Sequence, residues 1–496
     1  MPTYHGTELT QFGTYSKLQA FIEKSRAEPG SFEDFERRLG ERMRAFENDV
    51  KAEQLARYDI DEEVIVVDGV EMRRCLEKEP KTYLSASGPL PGVERNLFRS
   101  AGGGKSVCPL ELRAGIIGGL CTPVLAREVT YSMGQMTSAE TAALFREFGI
   151  EGPSSSTCDR IPKVVNEAWE RNRLAWEAAL RSQETVPPEA TVMAVSLDGV
   201  MVPDKEAQRE AKVEREKKRK NLSKATGGPA GYREVGCGTV SLYAVDAEAE
   251  SEDERLKRLE TIRYGRAPEF KKKTLTDQLD AEVRAILAVR PDLVLVALAD
   301  GSEENWRYFD RPLWKKATKI VDFGHACEHL KAGLAAFYGA ESILGRAEYE
   351  RLKVILKEQH GGVGDVIATL TGLERKLRAK PHASKTQKKA VRTERKYFRN
   401  QRKRMDYARY LELGLPIGSG VVEAACKTLA AQRMKRSGMS WGEGKQAVLT
   451  IRSLQQSNRW ERGWRMVAAS FQETPRVVVN HGGFKTYSKP AFAAAA

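Results

Sequence analysis

The sequence predicts a mixed α/β fold, and three observations support that prediction. Residues 191–202 (TVMAVSLDGVMV) and 292–301 (DLVLVALADG) are apolar runs of the length of buried strands, and each contains an Asp-Gly pair towards its end. Residues 232–245 form another strand-like run, and residues 275–289 have the apolar spacing of a helix. A helical pattern continues from about residue 324 to 413. The predicted order is β-β-(β)-α-β-α-β-α, followed by a long helical segment.

Composition and charge describe a large globular protein with a polyanionic partner. The 496 residues are 41% apolar, and 81 Lys and Arg against 68 Asp and Glu give a net charge of +13. Such an excess most often indicates nucleic acid, although basic ribosomal and membrane-surface proteins share it. Seven scattered cysteines without a Cys-x-x-Cys pair exclude a disulfide framework and a paired-cysteine zinc ribbon. With no signal-like N-terminus and no long apolar run, the prediction is a cytosolic protein.

The first part of the chain is predicted to be mainly helical, with some β-structure. Residues 31–58 carry a one-faced apolar stripe, and residues 63–72 (EVIVVDGVEM) predict a hairpin with Asp-Gly at its turn. Residues 138–148 predict a capped helix opening with Ser138, and a second helix follows from about Ser156. This outline is typical of a helix-turn-helix that binds DNA, but an ordinary pair of packed helices gives the same pattern.

Lysine- and arginine-rich segments are the candidate DNA-binding regions. Residues 204–224 form a charge run that fits either a solvated helix or a phosphate-contacting arm. Residues 375–404 are dense in cations with Tyr397 and Phe398 interleaved, which fits either a solvated helical face or a nucleic-acid groove. The candidate DNA-binding residues are Lys217, Lys218, Arg219, Lys220, Arg395, Lys396, Arg399, Arg402, Lys403, Arg404, Lys435 and Arg436.

Three isolated carboxylates are the candidate catalytic residues. Asp198 and Asp300 come at the predicted ends of buried strands, and Glu423 lies in the first turn of an apolar helix. Buried carboxylates need a balancing charge, and Mg²⁺ prefers oxygen ligands. Two such ions about 4 Å apart can catalyse phosphodiester displacement. Gly199 is predicted to let the backbone turn away from this site. For Glu423 a role at the helix dipole is the alternative.

Nine motifs between residues 108 and 464 are specific in combination, although each is weak alone. They are CPLELRAGI, LCTPVLAREV, SLDGVMV, YREVGCGTVSLY, RAPEFKKKTL, ADGSEENW, DFGHACEHL, IGSGVVEAACK and RMKRSGMSW. Together they resemble the DDE transposases of bacterial insertion sequences, in the ISKra-type group, with the Mutator-like group more distant. The resemblance implies an RNase H-like catalytic core with an α-helical insertion and a mainly helical N-terminal DNA-binding region.

The resemblance also implies the site and its partners. Asp198, Asp300 and Glu423 would bind two Mg²⁺ ions, with Mn²⁺ able to replace them. Asp322 and His325 match an Asp/Cys-x-x-His element that lies near the site in the Mutator-like group, although helix capping by Asp322 explains the pair equally well. The implied function is to cut and join insertion-sequence ends. The implied partners are double-stranded DNA, as terminal inverted repeats and target, and further copies of the chain in a dimer or larger assembly. The implied location is the bacterial cytoplasm, at the nucleoid.

Zinc is not expected, although one alternative requires it. The family has a cysteine-based zinc element ahead of CPLELRAGI, where this chain has only Cys108. The alternative is a zinc metallopeptidase, because residues 325–329 (HACEH) fit the pattern of inverted zinc peptidases. Two further alternatives are a DNA-binding protein derived from a transposase, for which a lost carboxylate is the expected sign, and a nuclease of the same fold.

Seven segments are predicted. They are a helical region (1–85), a small β-leaning element at the zinc-element position (86–135), a helix-turn-helix-like region (136–188), the first part of the core (189–330), a basic helical insertion (331–415), the last part of the core with Glu423 (416–472) and a poorly ordered tail (473–496).

Overall fold

The structure is a computed structural model that describes residues 11–27, 30–219, 230–246, 255–380, 382, 384–473, 475–479 and 483–486. It divides into two compact units: Met1–Glu177 with Trp460–Ala496, and Ala178–Arg459. Among the described helices, none is both long and apolar enough to cross a membrane.

From residue 11 onward, the described part of the first unit starts with two helices and three antiparallel strands. These are α1 (Gly13–Ala27), α2 (Phe32–Ala56), β1 (Val64–Val67), β2 (Val70–Ser85) and β3 (Gly88–Ser100). The predicted hairpin is confirmed, because β1 and β2 pair across a turn in which Asp68 and Gly69 have φ angles of 49° and 78°. Asp-Gly favours this turn because glycine and aspartate tolerate positive φ.

Four helices follow in the first unit. They are α3 (Pro109–Ala114), α4 (Pro123–Gln135), α5 (Ser138–Glu147) and α6 (Ser155–Ser182). The capped helix is confirmed as α5, but its cap is Thr137 and not Ser138. The Thr137 hydroxyl accepts a hydrogen bond from the Glu140 N–H, and the Glu140 carboxylate accepts one from the Thr137 N–H. This reciprocal pair is a capping box, which sets the start of the helix.

The second unit is built on a five-stranded mixed sheet. Its strands are β4 (Val192–Pro203), β5 (Tyr232–Val245), β6 (Leu256–Arg266), β7 (Val294–Ala299) and β8 (Thr318–Val321). Their order across the sheet is β6-β5-β4-β7-β8. β4, β7 and β8 are parallel, whereas β5 is antiparallel to both β4 and β6. The predicted mixed α/β class is therefore confirmed.

In the described parts of the chain, three α-helices lie between these strands, and α8 covers the sheet. They are α7 (Lys205–Arg219), α8 (Lys273–Val289) and α9 (Glu303–Phe309). Leu275, Leu279 and Val283 on α8 are fully buried in the core that includes β4 and β7. Their four-residue spacing places them on one helix face. Burying each of these side chains stabilises the fold by about 1.5–3 kcal/mol.

Helices form the segment after β8, as predicted. They are α10 (Phe323–Tyr338), α11 (Ile343–Glu358), α12 (Val363–Ala379), α13 (Lys385–Gln401) and α14 (Tyr407–Glu412). Val391 and Phe398 on α13 are fully buried in the same core as the sheet. The end of α13 meets the loop after β7, because the Gln401 amide donates to the Gly301 carbonyl at 3.0 Å.

The helix that carries Glu423 changes geometry along its length. α15 (Gly420–Ala425) continues through a π-helical turn (Cys426–Ala431) into α16 (Gln432–Met434). Its apolar face packs on Val202 of β4 and Val235 of β5. α17 (Lys445–Gln456) follows and is bound to β6, because the Gly265 N–H donates to the Ser453 hydroxyl at 3.0 Å.

The C-terminal elements complete the first unit. They are α18 (Trp460–Ser470), β9 (Arg476–Val479) and β10 (Gly483–Thr486). β9 pairs antiparallel with β1 and β10, giving the sheet order β10-β9-β1-β2-β3. These two strands fall within the segment predicted as a poorly ordered tail, and most of the rest of that segment lies outside the described residues. The valine run 477–479 has strand-favouring composition, and β1 offers it a free edge for pairing.

Candidate active site

Asp198 and Asp300 lie side by side at one edge of the second unit's sheet. The parallel pairing of β4 with β7 ends with Ser196 opposite Leu298, and each aspartate follows two residues later. Burial raises the pKa of Asp198, and the negative charge of Asp300 raises it further. The structure thus brings two of the three predicted catalytic carboxylates into electrostatic contact.

Asp198 does not end its strand, contrary to the prediction. β4 continues to Pro203, because its antiparallel pairing with β5 runs on to Tyr232. Only the parallel pairing with β7 stops short of Asp198. The carboxylate therefore lies where β4 loses one partner strand and keeps the other, which opens space on the β7 side.

Gly199 has a different role from the predicted one. It stays within β4, opposite Gly236 of β5, and so the backbone does not turn there. A Cβ atom at position 199 would lie 1.6 Å from Oε1 of Glu234, so the glycine makes room for that carboxylate. The same Oε1 lies 2.9 Å from Nζ of Lys272. The positive charge of Lys272 lowers the pKa of Asp198 and so partly opposes the effect of burial.

A cavity adjoins this edge of the sheet. Its volume is about 440 Å³, and its lining includes Glu234, Arg266, Glu269, Lys272 and Glu304. Its wall therefore carries both acids and cations, and apolar residues such as Met201 and Pro268 also line it. Lys272 lines the cavity, and its charge also acts on Asp198.

The Asp300 carboxylate is held through one oxygen. Its Oδ1 accepts hydrogen bonds from the Ser302 N–H and the Asn305 amide, each at 3.0 Å. The Asn305 amide also donates to the Leu197 carbonyl at 3.1 Å, which ties the loop after β7 to β4 next to Asp198. Oδ2 of Asp300 accepts no hydrogen bond from the described residues.

Glu423 lies on a helix that contacts Asp198. The Cys426 thiol donates to Oδ2 of Asp198 at 3.6 Å, within the range of a sulfur hydrogen bond. Glu423 comes three residues before Cys426, and residues at this spacing share a helix face. Its Oε1 accepts a hydrogen bond from the Ser419 hydroxyl at 3.1 Å. All three predicted carboxylates are therefore linked to this sheet edge, Glu423 through its helix.

Asp322 is buried and caps a helix, whereas its accessory role near the site stays a prediction. It is 2% exposed, and its Oδ1 accepts a hydrogen bond from the His325 N–H at 2.6 Å, which caps α10. Its Oδ2 accepts a hydrogen bond from the Ser419 N–H. The capping alternative is therefore confirmed. Because Ser419 in turn bonds to Glu423, Asp322 also supports the segment that positions the third carboxylate.

His325 is half-buried near the site. Burial lowers its pKa, but its hydrogen bond with Glu328 and the nearby charges raise it, and the net result is a raised pKa. Asp322 and Asp300 supply those charges. The imidazole is thus within the electric field of Asp300, whereas an accessory role in the reaction stays a prediction.

The HACEH segment uses its two imidazoles separately. Nδ1 of His325 lies 3.2 Å from Oε2 of Glu328. Nδ1 of His329 lies 2.6 Å from Oε2 of Glu394, and its ring stacks on Tyr397 with centroids 3.6 Å apart. In the described part of the chain, no three His, Cys, Asp or Glu side chains are grouped to hold a metal ion. No observation therefore favours the peptidase alternative.

The three carboxylates fit Mg²⁺ by their chemistry. All are oxygen donors, and Asp300 and Glu423 each keep one oxygen without a hydrogen bond from the described residues. A cation would also relieve the repulsion that raises the pKa of Asp198. As they stand, the described side chains do not form a group of three metal ligands.

Several supporting residues were not predicted. The Cys426 thiol bonds to Cys237 as well as Asp198, and this bonding together with burial raises its pKa. It therefore stays neutral and donates to Asp198. Asn305 and Ser419 were also missed, although both stand at short sequence distances from Asp300 and Glu423 within motifs that the sequence shows. Cys237 and Cys426 are 189 residues apart, and no local signal joins them.

The predicted DNA-binding residues differ in availability. Arg395 donates to Glu374 at 2.7 Å, and the Arg404 guanidinium lies 4.1 Å from the centre of the Trp306 ring. Lys220 and the side chains of Lys217, Lys218 and Arg219 lie outside what the structure describes. The remaining six are exposed: Lys396, Arg399, Arg402, Lys403, Lys435 and Arg436.

The fold and the site thus define a mixed α/β protein with two adjacent carboxylates at one edge of its sheet. No protein-family model matches the chain, and no curated protein matches it. Among solved structures, it is similar to the Drosophila P element transposase strand transfer complex, with 9% sequence identity, coverage of 70% of this chain and 81% of that chain, and a TM-score of 0.22. A similarity with so low a TM-score establishes neither the fold nor the function of this chain.

Proposed function

We propose that this protein is a Mg²⁺-dependent DNA transposase with an RNase H-like core, which cuts and joins the ends of an insertion sequence. The observation that carries the proposal is the meeting of Asp198 on β4 with Asp300 directly after the adjacent parallel strand β7, with the Glu423 helix bonded to Asp198. The mixed five-stranded sheet, flanked by helices, supports the RNase H-like part of the proposal.

The chain's own residues would hold and orient the reacting groups. Asp198, Asp300 and Glu423 would bind Mg²⁺, or Mn²⁺ in its place. Two such ions, when bound, activate the attacking water or 3′-hydroxyl and stabilise the leaving oxygen. Asn305 keeps the loop after β7 against β4, which maintains the spacing of the two aspartates. Ser419 orients the Glu423 carboxylate.

Charge supports DNA as the substrate. The net charge is +13, and exposed cations lie on α13, whose end contacts the loop that carries Asp300. Phosphate contacts of this kind supply most of the sequence-independent affinity for DNA. The proposed partners are the terminal repeats, the target DNA and further copies of the chain. The helices α5 and α6 belong to the proposed DNA-binding region.

Substitution of each carboxylate by its amide tests the proposal. Asp198→Asn, Asp300→Asn and Glu423→Gln should each lower cleavage of a plasmid carrying the element's ends by at least about a thousandfold, because each removes an oxygen ligand at the reacting centre. DNA binding should change less than about threefold, since phosphate contacts lie elsewhere. The measurements are strand cleavage on gels and binding by fluorescence anisotropy.

Asp292→Asn is the matched control. Asp292 is an aspartate just before β7, at the opposite end of that strand from Asp300, and it pairs with Arg290 on the surface. This variant should cleave like the wild type. Wild-type cleavage by any one of the three site variants would contradict its assignment. Mn²⁺ titration followed by electron paramagnetic resonance provides a second measurement, in which the three site variants should bind the ion more weakly.

A further inference from the structure

A continuous row of cations runs along the exposed face of α13. We call this surface the α13 cation row. Its members recur at three- and four-residue intervals, and they therefore share one side of the helix. The residues of the row are Lys385, Lys388, Lys389, Arg392, Lys396 and Arg399, and Lys403 continues it in the turn after the helix. Val391 and Phe398 lie on the other side and are fully buried. The helix is therefore packed on one face and positively charged on the other.

The α13 cation row has little counter-charge of its own. In the described structure Lys385, Lys388, Lys389, Lys396, Arg399 and Lys403 form no ion pair. The single acid within α13, Glu394, lies away from the row and bonds to His329 at 2.6 Å. Arg392 contacts Glu374 through Nε but keeps 51% of its side chain exposed. Like charges at these spacings destabilise a helix, and a row of negative charges alongside would relieve that repulsion.

The row has a defined direction relative to the candidate active site. Near the C-terminal end of α13, the Tyr397 hydroxyl donates to the Asp300 carbonyl at 3.1 Å, and Gln401 donates to Gly301. Gly301 permits this approach, since its φ is 101° and a Cβ there would lie 2.8 Å from the Tyr397 ring. At a rise of 1.5 Å per residue, the start of the helix lies roughly 24 Å from this end.

The aromatic residues of this segment do not face a ligand. The sequence left open a groove in which Tyr397 and Phe398 stack on bases. Tyr397 instead stacks on His329, and Phe398 is fully buried. A single strand held by base stacking has no platform on this helix. The exposed side presents mainly flexible cations, with Thr393 and Asn400 beside them. Such cations suit the regularly spaced phosphates of a duplex.

We propose that the α13 cation row is a phosphate track for duplex DNA, which leads away from the candidate active site. The proposal rests on the proposed function, because it takes DNA as the substrate. The row from Lys385 to Arg399 spans roughly 21 Å, which matches about six base pairs at 3.4 Å each. It adds Lys385, Lys388, Lys389 and Arg392 to the DNA-contacting surface, and it omits Arg395 and Arg404, whose guanidinium groups are engaged within the fold.

The test neutralises the end of the track that lies far from the site. The variant Lys385→Gln/Lys388→Gln/Lys389→Gln removes three charges from exposed or half-exposed positions. The control Lys257→Gln/Lys315→Gln/Lys316→Gln removes three charges from exposed positions at the opposite edge of the same sheet, where β6 and β8 begin. Both variants should keep the wild-type melting temperature, because none of these side chains is packed in the core.

Salt dependence of binding separates a track from general attraction. Binding to an element-end duplex is measured without divalent ions between about 50 and 200 mM salt. The slope of log K against log salt should become shallower by about 3 in the track variant, since each lost phosphate contact changes it by about 0.9. The control should keep the wild-type slope. Equal losses in both variants, or an unchanged slope in the track variant, would overturn the proposal.

Duplex length tests the direction of the track. Once the cleavage position is mapped, two duplexes are prepared that both keep about 20 base pairs on one side of that position. On the other side, one duplex carries about 3 base pairs and the other about 16. The same pair is then prepared with the two sides exchanged. For one orientation, shortening should weaken wild-type binding by about tenfold or more and leave the track variant nearly unaffected. Equal losses for both proteins in both orientations would overturn the track, whereas absence of wild-type DNA binding would overturn the proposed function with it.

Discussion

At the scale of single residues, neutral donors orient the acidic side chains of the candidate site. Asp300 accepts from an amide side chain and a backbone N–H. Asp198 accepts from the Gly199 N–H at 2.7 Å and from the Cys426 thiol. These donors fix the carboxylates without cancelling their charges. Burial and the neighbouring charge of Asp300 still raise the pKa of Asp198. A bound cation would balance the negative charges of the two carboxylates and so favour the ionised form of Asp198.

The raised pKa of Asp198 predicts a stability cost that depends on pH. Because the folded-state pKa is raised, the folded protein holds this proton more tightly than the unfolded chain. The loss of stability is therefore fully present above the folded-state pKa of Asp198. It disappears as pH falls through that pKa toward the lower pKa of Asp198 in the unfolded chain. Asp198→Asn should stabilise the metal-free protein by about 1 kcal/mol at pH 7.5, and the gain should shrink as pH falls. Thermal unfolding at several pH values measures it.

Asp292→Asn is again the control for this prediction. The Arg290 partner lowers the pKa of Asp292 on the surface, so removal of that carboxylate should not stabilise the protein at pH 7.5. Added Mn²⁺ should raise the melting temperature of the wild type but not of Asp198→Asn, since a ligand stabilises only the state that binds it. A lower melting temperature of Asp198→Asn than of the wild type at neutral pH without metal would contradict the prediction.

At the scale of elements, local sequence patterns predicted which segments are strands and helices. They did not predict where the pairing between neighbouring strands ends. The apolar runs identified β4 and β7 because buried parallel strands are apolar on both faces. The position of Asp198 inside β4 could not be read from the run, because it depends on β5 continuing where β7 stops. β9 was missed for a similar reason, since its partner β1 lies about 400 residues earlier in the chain.

The candidate site could likewise be predicted from local sequence patterns only in part. The three carboxylates stood out as isolated acids at ends of apolar elements, and their motifs placed them in one set. The contact that brings the Glu423 helix to Asp198 joins Cys426 to a residue 228 positions away, and nothing in either motif marks it. Asp322 could be predicted as a helix cap from its position, but its bond to the Ser419 N–H depends on how α10 and α15 pack.

The hydrogen bonds of Asp322 indicate how the start of the Glu423 helix is fixed in place. The two carboxylate oxygens of Asp322 accept two backbone N–H groups, whereas an amide side chain has one acceptor oxygen and would turn a donor toward the other N–H. Asp322→Asn should therefore destabilise the protein by about 1–3 kcal/mol. Amide hydrogen exchange should also become faster at Ser419 and in the first turn of α15. Thermal unfolding and exchange mass spectrometry measure the two effects.

Asp310→Asn is the comparison for Asp322→Asn. Asp310 is a surface residue that bonds to Lys319 at 2.6 Å, and its loss should change stability by less than about 1 kcal/mol. Faster exchange confined to the segment before Glu423 would support the positioning role of Asp322. Unchanged exchange there, despite a loss of overall stability, would show that Asp322 only caps α10.

At the scale of the whole molecule, the second unit contains a buried ion cluster that joins its sheet to its covering helix. Arg459 and Glu282 are 2% and 1% exposed. The Arg459 guanidinium lies 2.8 Å from a Glu282 oxygen on α8 and 2.8 Å from the Tyr264 hydroxyl on β6, and it also bonds to Glu184. Sequence periodicity cannot find such a cluster, because its members are charged residues at positions that otherwise predict a solvated surface.

Loss of Arg459 tests how strongly this cluster holds the unit together. Arg459→Met keeps much of the side-chain volume but removes the nearer of the two cations beside buried Glu282, since Arg181 lies 3.9 Å from it. Breaking a buried pair in this way costs about 3–5 kcal/mol. Arg351→Met removes an arginine whose pair with Glu348 is half-exposed on α11, and it should cost less than about 1 kcal/mol. The melting temperature should fall steeply for Arg459→Met alone. Combining it with Glu282→Gln should recover part of the loss, because the buried carboxylate that lost its nearer cation is then gone. If both single arginine variants melt at the same temperature, the cluster does not stabilise the second unit.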